Sequence, residues 1–208
     1  MSTWQAFRLQ ERRHWIFDLD GTLTNSVHDF DYIRSELGLD GQVPILEALN
    51  AMSAEEAAPL WHRLNELEFQ FAGKARIMDG SREVLEKLAA RGSRLGILTR
   101  NVMPVVIETL QACDIAHLFP VAHVVDRDTC RPKPAPDGIQ HLLELWQADP
   151  QDTVMVGDYL YDLQSGRSAG VLTIHLDSRC DLTWPDYTDV YIQNYSELAD
   201  LLGSAHDF

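Results

Sequence analysis

The chain has 208 residues, 45% of them hydrophobic and 24% charged, the balance of a soluble chain with one sizeable core rather than of a disordered or fibrous one. Its 32 acidic against 17 basic side chains give a formal charge of −15, which repels nucleic-acid backbones and anionic membrane surfaces. No run approaches the roughly 20 apolar residues of a membrane span, and Met1 to Arg13 is polar where a secretory signal is apolar, so a cytoplasmic protein with neither nucleic acid nor membrane as partner is expected.

Along the chain, short apolar runs alternate with helical patterns, which predicts a parallel sheet flanked by helices. The first strand is His14 to Asp18, running directly into Phe17-Asp18-Leu19-Asp20-Gly21-Thr22-Leu23. From Asn25 to Asp79 the chain reads as helix throughout and interrupts the alternation. Residues 25–79 are therefore an inserted helical subdomain, with residues 1–24 and 80–208 forming the α/β core. Within the insertion Ser53 and Glu56 make a capping box, and Leu60, Leu64, Leu67 and Phe71 recur at the spacing of a core-facing stripe.

Ser81 opens the next helix, and Gly92 stops it. Arg94 to Leu98 is a strand, ending in Leu98-Thr99-Arg100-Asn101. Pro104 suits the first turn of a helix running to about Ala112. Further strands are expected at Val121–Val125, Thr153–Val156, Val171–Leu176 and Val190–Ile192, six in all, and Ser196 is placed to cap the last helix. Cys113, Cys130 and Cys180 form no C-x-x-C pair and are expected as reduced thiols, and no histidine has ligand spacing.

Two aspartates spaced by one residue occur three times, at Asp18/Asp20, Asp29/Asp31 and Asp126/Asp128. The latter two read as solvated acidic surface. Asp18 differs by position, because it stands at the carboxyl end of a strand, where open α/β sheets bind their ligands. Two residues on, Asp20 projects to the same side roughly 6.6 Å away, at about 3.3 Å per residue, and a divalent cation would relieve the repulsion between them. A calcium loop fails on spacing: counted from Asp18, the glycine position holds Leu23 and the glutamate position Asp29.

Besides Leu98-Thr99-Arg100-Asn101, two other segments fall at the carboxyl end of a strand or in the loop beyond it. Gly157-Asp158-Tyr159-Leu160-Tyr161-Asp162 follows an apolar run, and Asp158 there fits a helix N-cap as well as it fits a site. Asp177 and Asp181 share that spacing but read as loop. Arg131-Pro132-Lys133-Pro134-Ala135-Pro136 fixes one of only three lysines between two prolines, which suits a preorganised charge.

In this order, F-D-L-D-G-T-L, L-T-R-N, R-P-K-P-A-P-D and G-D-Y-L-Y-D resemble the four motifs of the haloacid-dehalogenase-like hydrolases, in the phosphoglycolate-phosphatase-like branch with a helical cap. The resemblance implies a Rossmann-like, doubly wound sheet carrying a cap, and a phosphatase. By residue it implies Asp18 as nucleophile on phosphorus, Asp20 as general acid and then base, and Thr99 and Lys133 on the phosphoryl oxygens. It implies Mg²⁺ held by the Asp18 carboxylate, the Asp20 backbone carbonyl and Asp158, with Asp162 ordering that shell.

Within such a family Asp20 argues against dehalogenation, and the absence of lysine from Thr24 to Gly73 argues against phosphonate cleavage through a Schiff base. A sugar phosphomutase and a non-catalytic phosphate binder are the remaining alternatives. The substrate is expected to be a small phosphorylated metabolite. Arg100, next to Thr99, is a further candidate for phosphate or substrate. His28, Arg34, Arg63, Lys74 and Arg76 in the cap each read more simply as solvated helix face. A monomer with a mobile cap is expected, with a homodimer as the alternative.

Overall fold

The computed structural model describes residues 8–25, 30–39, 43–181 and 183–203. His28 and Asp29 lie outside them. Six parallel strands form one sheet: β1 (His14–Phe17), β2 (Arg94–Leu98), β3 (Val124–Val125), β4 (Thr153–Gly157), β5 (Leu172–Leu176) and β6 (Val190–Ile192), in the order β3-β2-β1-β4-β5-β6. This is the doubly wound order, and its direction reverses between β1 and β4.

The strands are apolar on both faces because helices cover both. Trp15 and Phe17 of β1 join Val154 and Val156 of β4 in one cluster, while Ile16 and Met155, on the opposite pleat, join a second. Helices α4 (Ser81–Ala90), α5 (Met103–Ala112) and α8 (Tyr195–Leu201) supply Leu85, Leu88, Leu110 and Leu198 to the first. Helix α6 (Asp137–Trp146) supplies Ile139, Leu142 and Trp146 to the second, and α7 (Leu160–Ala169) packs beside it against β4 and β5.

Between β1 and α4 lie three helices, α1 (Phe30–Glu36), α2 (Ile45–Asn50) and α3 (Ala54–Ala72). They bury their own cluster of Ile33, Leu37, Leu46, Leu49, Leu64 and Leu67, with Leu60 and Phe71 packed against it. The capping box at Ser53 and Glu56 is formed. No helix among the described residues is long and apolar enough to cross a membrane.

Local departures from the expectations have physical causes. The third strand is only Val124–Val125, since Val121–His123 follows Pro120 as a 3-10 turn. Asn194, not Ser196, caps α8: its side chain accepts from Glu197 N at 3.0 Å, which leaves Tyr195 to fill the core. Asp126 is not solvated surface. It is 8% exposed and accepts from Met103 N, Thr129 N and Thr129 Oγ1, closing the turn after β3.

Candidate active site

Strand register brings the motif segments to one edge. Phe17 pairs with Ile97 on one side and Val156 on the other, so Asp18, Thr99 and Asp158 all emerge where their strands end, beside the reversal of strand order. Asp18 N still donates to Val156 O at 2.9 Å, so the last ladder bond fixes the backbone from which the carboxylate projects. Gly21, at φ +84°, turns the chain back, and any Cβ there would lie 2.3 Å from Asp158 Oδ2.

Lys133 is buried and donates to Asp18 Oδ1 and to Asp162 Oδ1, the latter at 2.6 Å. Carboxylate oxygens of Asp18, Asp158 and Asp162 lie within 4.8 Å of one another. Thr22 Oγ1 donates to Asp158 Oδ1 at 3.2 Å. Asp158 is therefore not the N-cap of α7. Tyr159 holds that position, its N–H donating to Asp162 Oδ2 at 3.1 Å.

Three acids and one ammonium in so small a volume perturb each other. Burial raises the Asp18 pKa well above the carboxylate range, and Asp162 and Asp158 add to this against the pull of Lys133. Asp158 is pushed up to about 7, by burial first and Asp162 second. Burial alone would lower Lys133, but Asp162 and Asp18 outweigh it and hold the ammonium above its ordinary range. One cation against three carboxylates leaves a surplus of negative charge. An all-oxygen donor set of this kind fits a hard divalent cation such as Mg²⁺. Asp20, whose expected part in holding it is a backbone carbonyl, borders the same cavity.

That cavity, about 830 Å³, lies between the sheet edge and the inserted helices. Asp18, Asp20, Thr99, Arg100, Lys133, Asp158 and Asp162 all line it, so every site residue expected from sequence is brought together. Thr99 is 2% exposed, and its Oγ1 accepts from Asn101 N at 3.2 Å. Arg100 reaches across to the inserted helices: Nη2 donates to Glu47 Oε1 at 2.6 Å, and the guanidinium lies over Tyr161, 5.1 Å from its ring centroid.

Of the candidates in the insertion, Arg34 borders the cavity and donates to Val43 O at 2.5 Å. Arg63 pairs with Glu36 and Glu66, while Lys74 and Arg76 are exposed. Asp177 and Asp181, read as loop, are loop and border the cavity too. Sequence reasoning passed over Asn101, whose Nδ2 donates to Asp20 Oδ2 at 2.5 Å, and Thr22. Both stand inside the motif segments, which was the available signal. It also passed over Arg127, which donates to Glu68 and Asn65 on α3 and to Arg100 O.

A family model described as haloacid dehalogenase-like hydrolase matches residues 28–176. An uncharacterized hydrolase of Saccharomyces cerevisiae is 28% identical, over 90% of this chain and 89% of its own. Pyrophosphatase PpaX of Bacillus mycoides is 26% identical, over 90% and 94%. Phosphoglycolate phosphatase of Escherichia coli is 33% identical over 60% of this chain and 50% of its own. A Bacillus subtilis hydrolase solved with magnesium has the same fold, with a TM-score of 0.68 at 17% identity, covering 93% of this chain and all of that one (100%).

Proposed function

The chain belongs to the haloacid dehalogenase-like hydrolases, and from that premise we propose that it is a Mg²⁺-dependent phosphomonoester hydrolase working through an aspartyl-phosphate on Asp18. The observation that carries this reading is the convergence of Lys133 on Asp18 and Asp162, with Asp158 within 4.8 Å and Asp20 on the same cavity. A mere anion binder has no use for a buried carboxylate at the centre of its site, since that charge repels the ligand.

Asp18 attacks phosphorus, and the bond from phosphorus to the leaving oxygen breaks as Asp20 gives that oxygen its proton. Water then attacks the phosphoryl group, Asp20 takes the water's proton, and the bond to Asp18 breaks, releasing phosphate. Thr99 and Lys133 hold phosphoryl oxygens, and Lys133 offsets the charge that gathers on them. Bound by Asp18, Asp158 and the Asp20 carbonyl, with Asp162 beside them, Mg²⁺ would supply further charge neutralisation. Residues 25–79 act as the cap, and Arg100 contributes to phosphate or substrate binding.

The names of the relatives, a pyrophosphatase and a phosphoglycolate phosphatase, support a small phosphorylated metabolite as substrate. The reading places the chain in the cytoplasm as a monomer. Mg²⁺-dependent phosphate release from p-nitrophenyl phosphate tests it. Asp18→Asn is expected to abolish turnover, and robust activity surviving that substitution would overturn the mechanism.

A further inference from the structure

We propose that Asn101 is a positioning residue for Asp20, fixing the orientation in which its carboxyl meets the leaving group. The inference rests on the aspartyl-phosphate reading above.

Asn101 lies between β2 and α5, 7% exposed, with its main chain tied at both ends. Its N–H donates to Thr99 Oγ1 at 3.2 Å, and its carbonyl accepts from Arg127 N at 3.1 Å. So held, the amide Nδ2 donates to Asp20 Oδ2 at 2.5 Å. An amide N–H is a donor that neither loses its proton nor takes up a second one under working conditions, so the contact has one polarity throughout the cycle.

That fixed polarity has a consequence for Asp20. Oδ2 is the oxygen engaged by the Asn101 amide, which assigns proton transfer to Oδ1. The carboxyl is also kept from rotating about its terminal bond, a soft two-fold torsion that would otherwise exchange the two oxygens. In the first displacement the Oδ1 proton passes to the ester oxygen as its bond to phosphorus breaks. In the second, Oδ1 recovers a proton from the attacking water. Asn101 takes part in neither bond change and touches no reacting atom.

Leaving groups discriminate this role from a structural one. A p-nitrophenolate departs without a proton, whereas an alkoxide needs one, and general acid assistance is worth roughly 10²–10⁴-fold where it is needed. The wild-type chain, Asn101→Ala and Asn101→Asp are each assayed on p-nitrophenyl phosphate and on the alkyl phosphate that wild type hydrolyses best. Both esters are measured on one preparation, so the folded fraction cancels from the ratio of kcat/KM values. In both variants the alkyl ester is expected to lose about tenfold or more beyond any loss on the aryl ester, with inhibition by inorganic phosphate unchanged. Equal losses on the two esters, weaker phosphate inhibition as the sole change, or recovery of alkyl-ester activity by the isosteric Asp would overturn the proposal. Should Asn101→Ala not fold, Asn101→Asp carries the same comparison. Failure of wild type to hydrolyse either ester would instead overturn the parent reading.

Discussion

Asp158 keeps its proton in the fold to about pH 7, against an ordinary carboxylate value of 3.8. The folded state therefore binds that proton more tightly than the unfolded chain, so the stability this group contributes is present below the ordinary value and lost as pH rises through about 7. A cation competing for the same oxygens reverses the loss. Mg²⁺ is accordingly expected to raise the melting temperature more at about pH 8 than at about pH 5, and not at all in Asp158→Asn. Equal shifts at both pH values in thermal scans would contradict a metal held by this carboxylate. Gly157 governs its neighbour: a Cβ there would stand 2.2 Å from the Asp162 Cβ, so Gly157→Ala must push that carboxylate off Lys133. The expected outcome is a cost of roughly 1–3 kcal/mol in a denaturant titration, with phosphatase activity lost in the folded remainder. The acids and Lys133 were legible because their segments fall together at the carboxyl ends of strands, although Asp158 taken alone suited a helix N-cap equally well. Asn101 and Thr22 were not, since short polar side chains in loops have many.

At the scale of elements, two arginines beyond the sheet edge each grip an inserted helix, in unlike surroundings. Arg127 and Glu68 are 6% and 10% exposed, with Arg127 also over Trp61 at 5.1 Å. Arg100 and Glu47 are 22% and 37% exposed. Arg127→Ala removes an ion pair that is largely out of water together with the stacking on Trp61, so it should cost on the order of 3 kcal/mol. Arg100→Ala, relieved by solvent, should cost less than about 1 kcal/mol while changing KM. Urea midpoints beside kinetics separate the two, and a reversed ranking of stabilities would refute the assignment. Periodicity predicted the helices well, as with the stripe from Leu60 to Phe71. Their ends were harder, because Ser196 and Asn194 are both good caps and only the burial of Tyr195 decides between them. The Arg127 contact was illegible, as its partners stand some sixty positions away.

For the molecule as a whole, alternating apolar runs and helices specified a parallel sheet flanked by helices, the resemblance added the doubly wound order, and six strands formed where six were expected. The sequence could not reveal how closely the inserted helices approach the sheet edge, since that depends on contacts such as Glu47 with Arg100. With a formal charge of −15 opposing self-association, the chain is expected to sediment as a single monomeric species at physiological salt, and a stable dimer would refute this. The strand order also bears on how the protein is made. β1 lies in the middle of the sheet, yet its neighbours begin only at Arg94 and Thr153. Along the chain the strand leading to Asp18 precedes both neighbours, one edge open until β2 has followed and the other until β4 has. Loop closure over such separations is slow. The strand that carries Asp18 is thus open to mispairing until β4 closes its second edge, and only that pairing brings Asp158 beside Asp18.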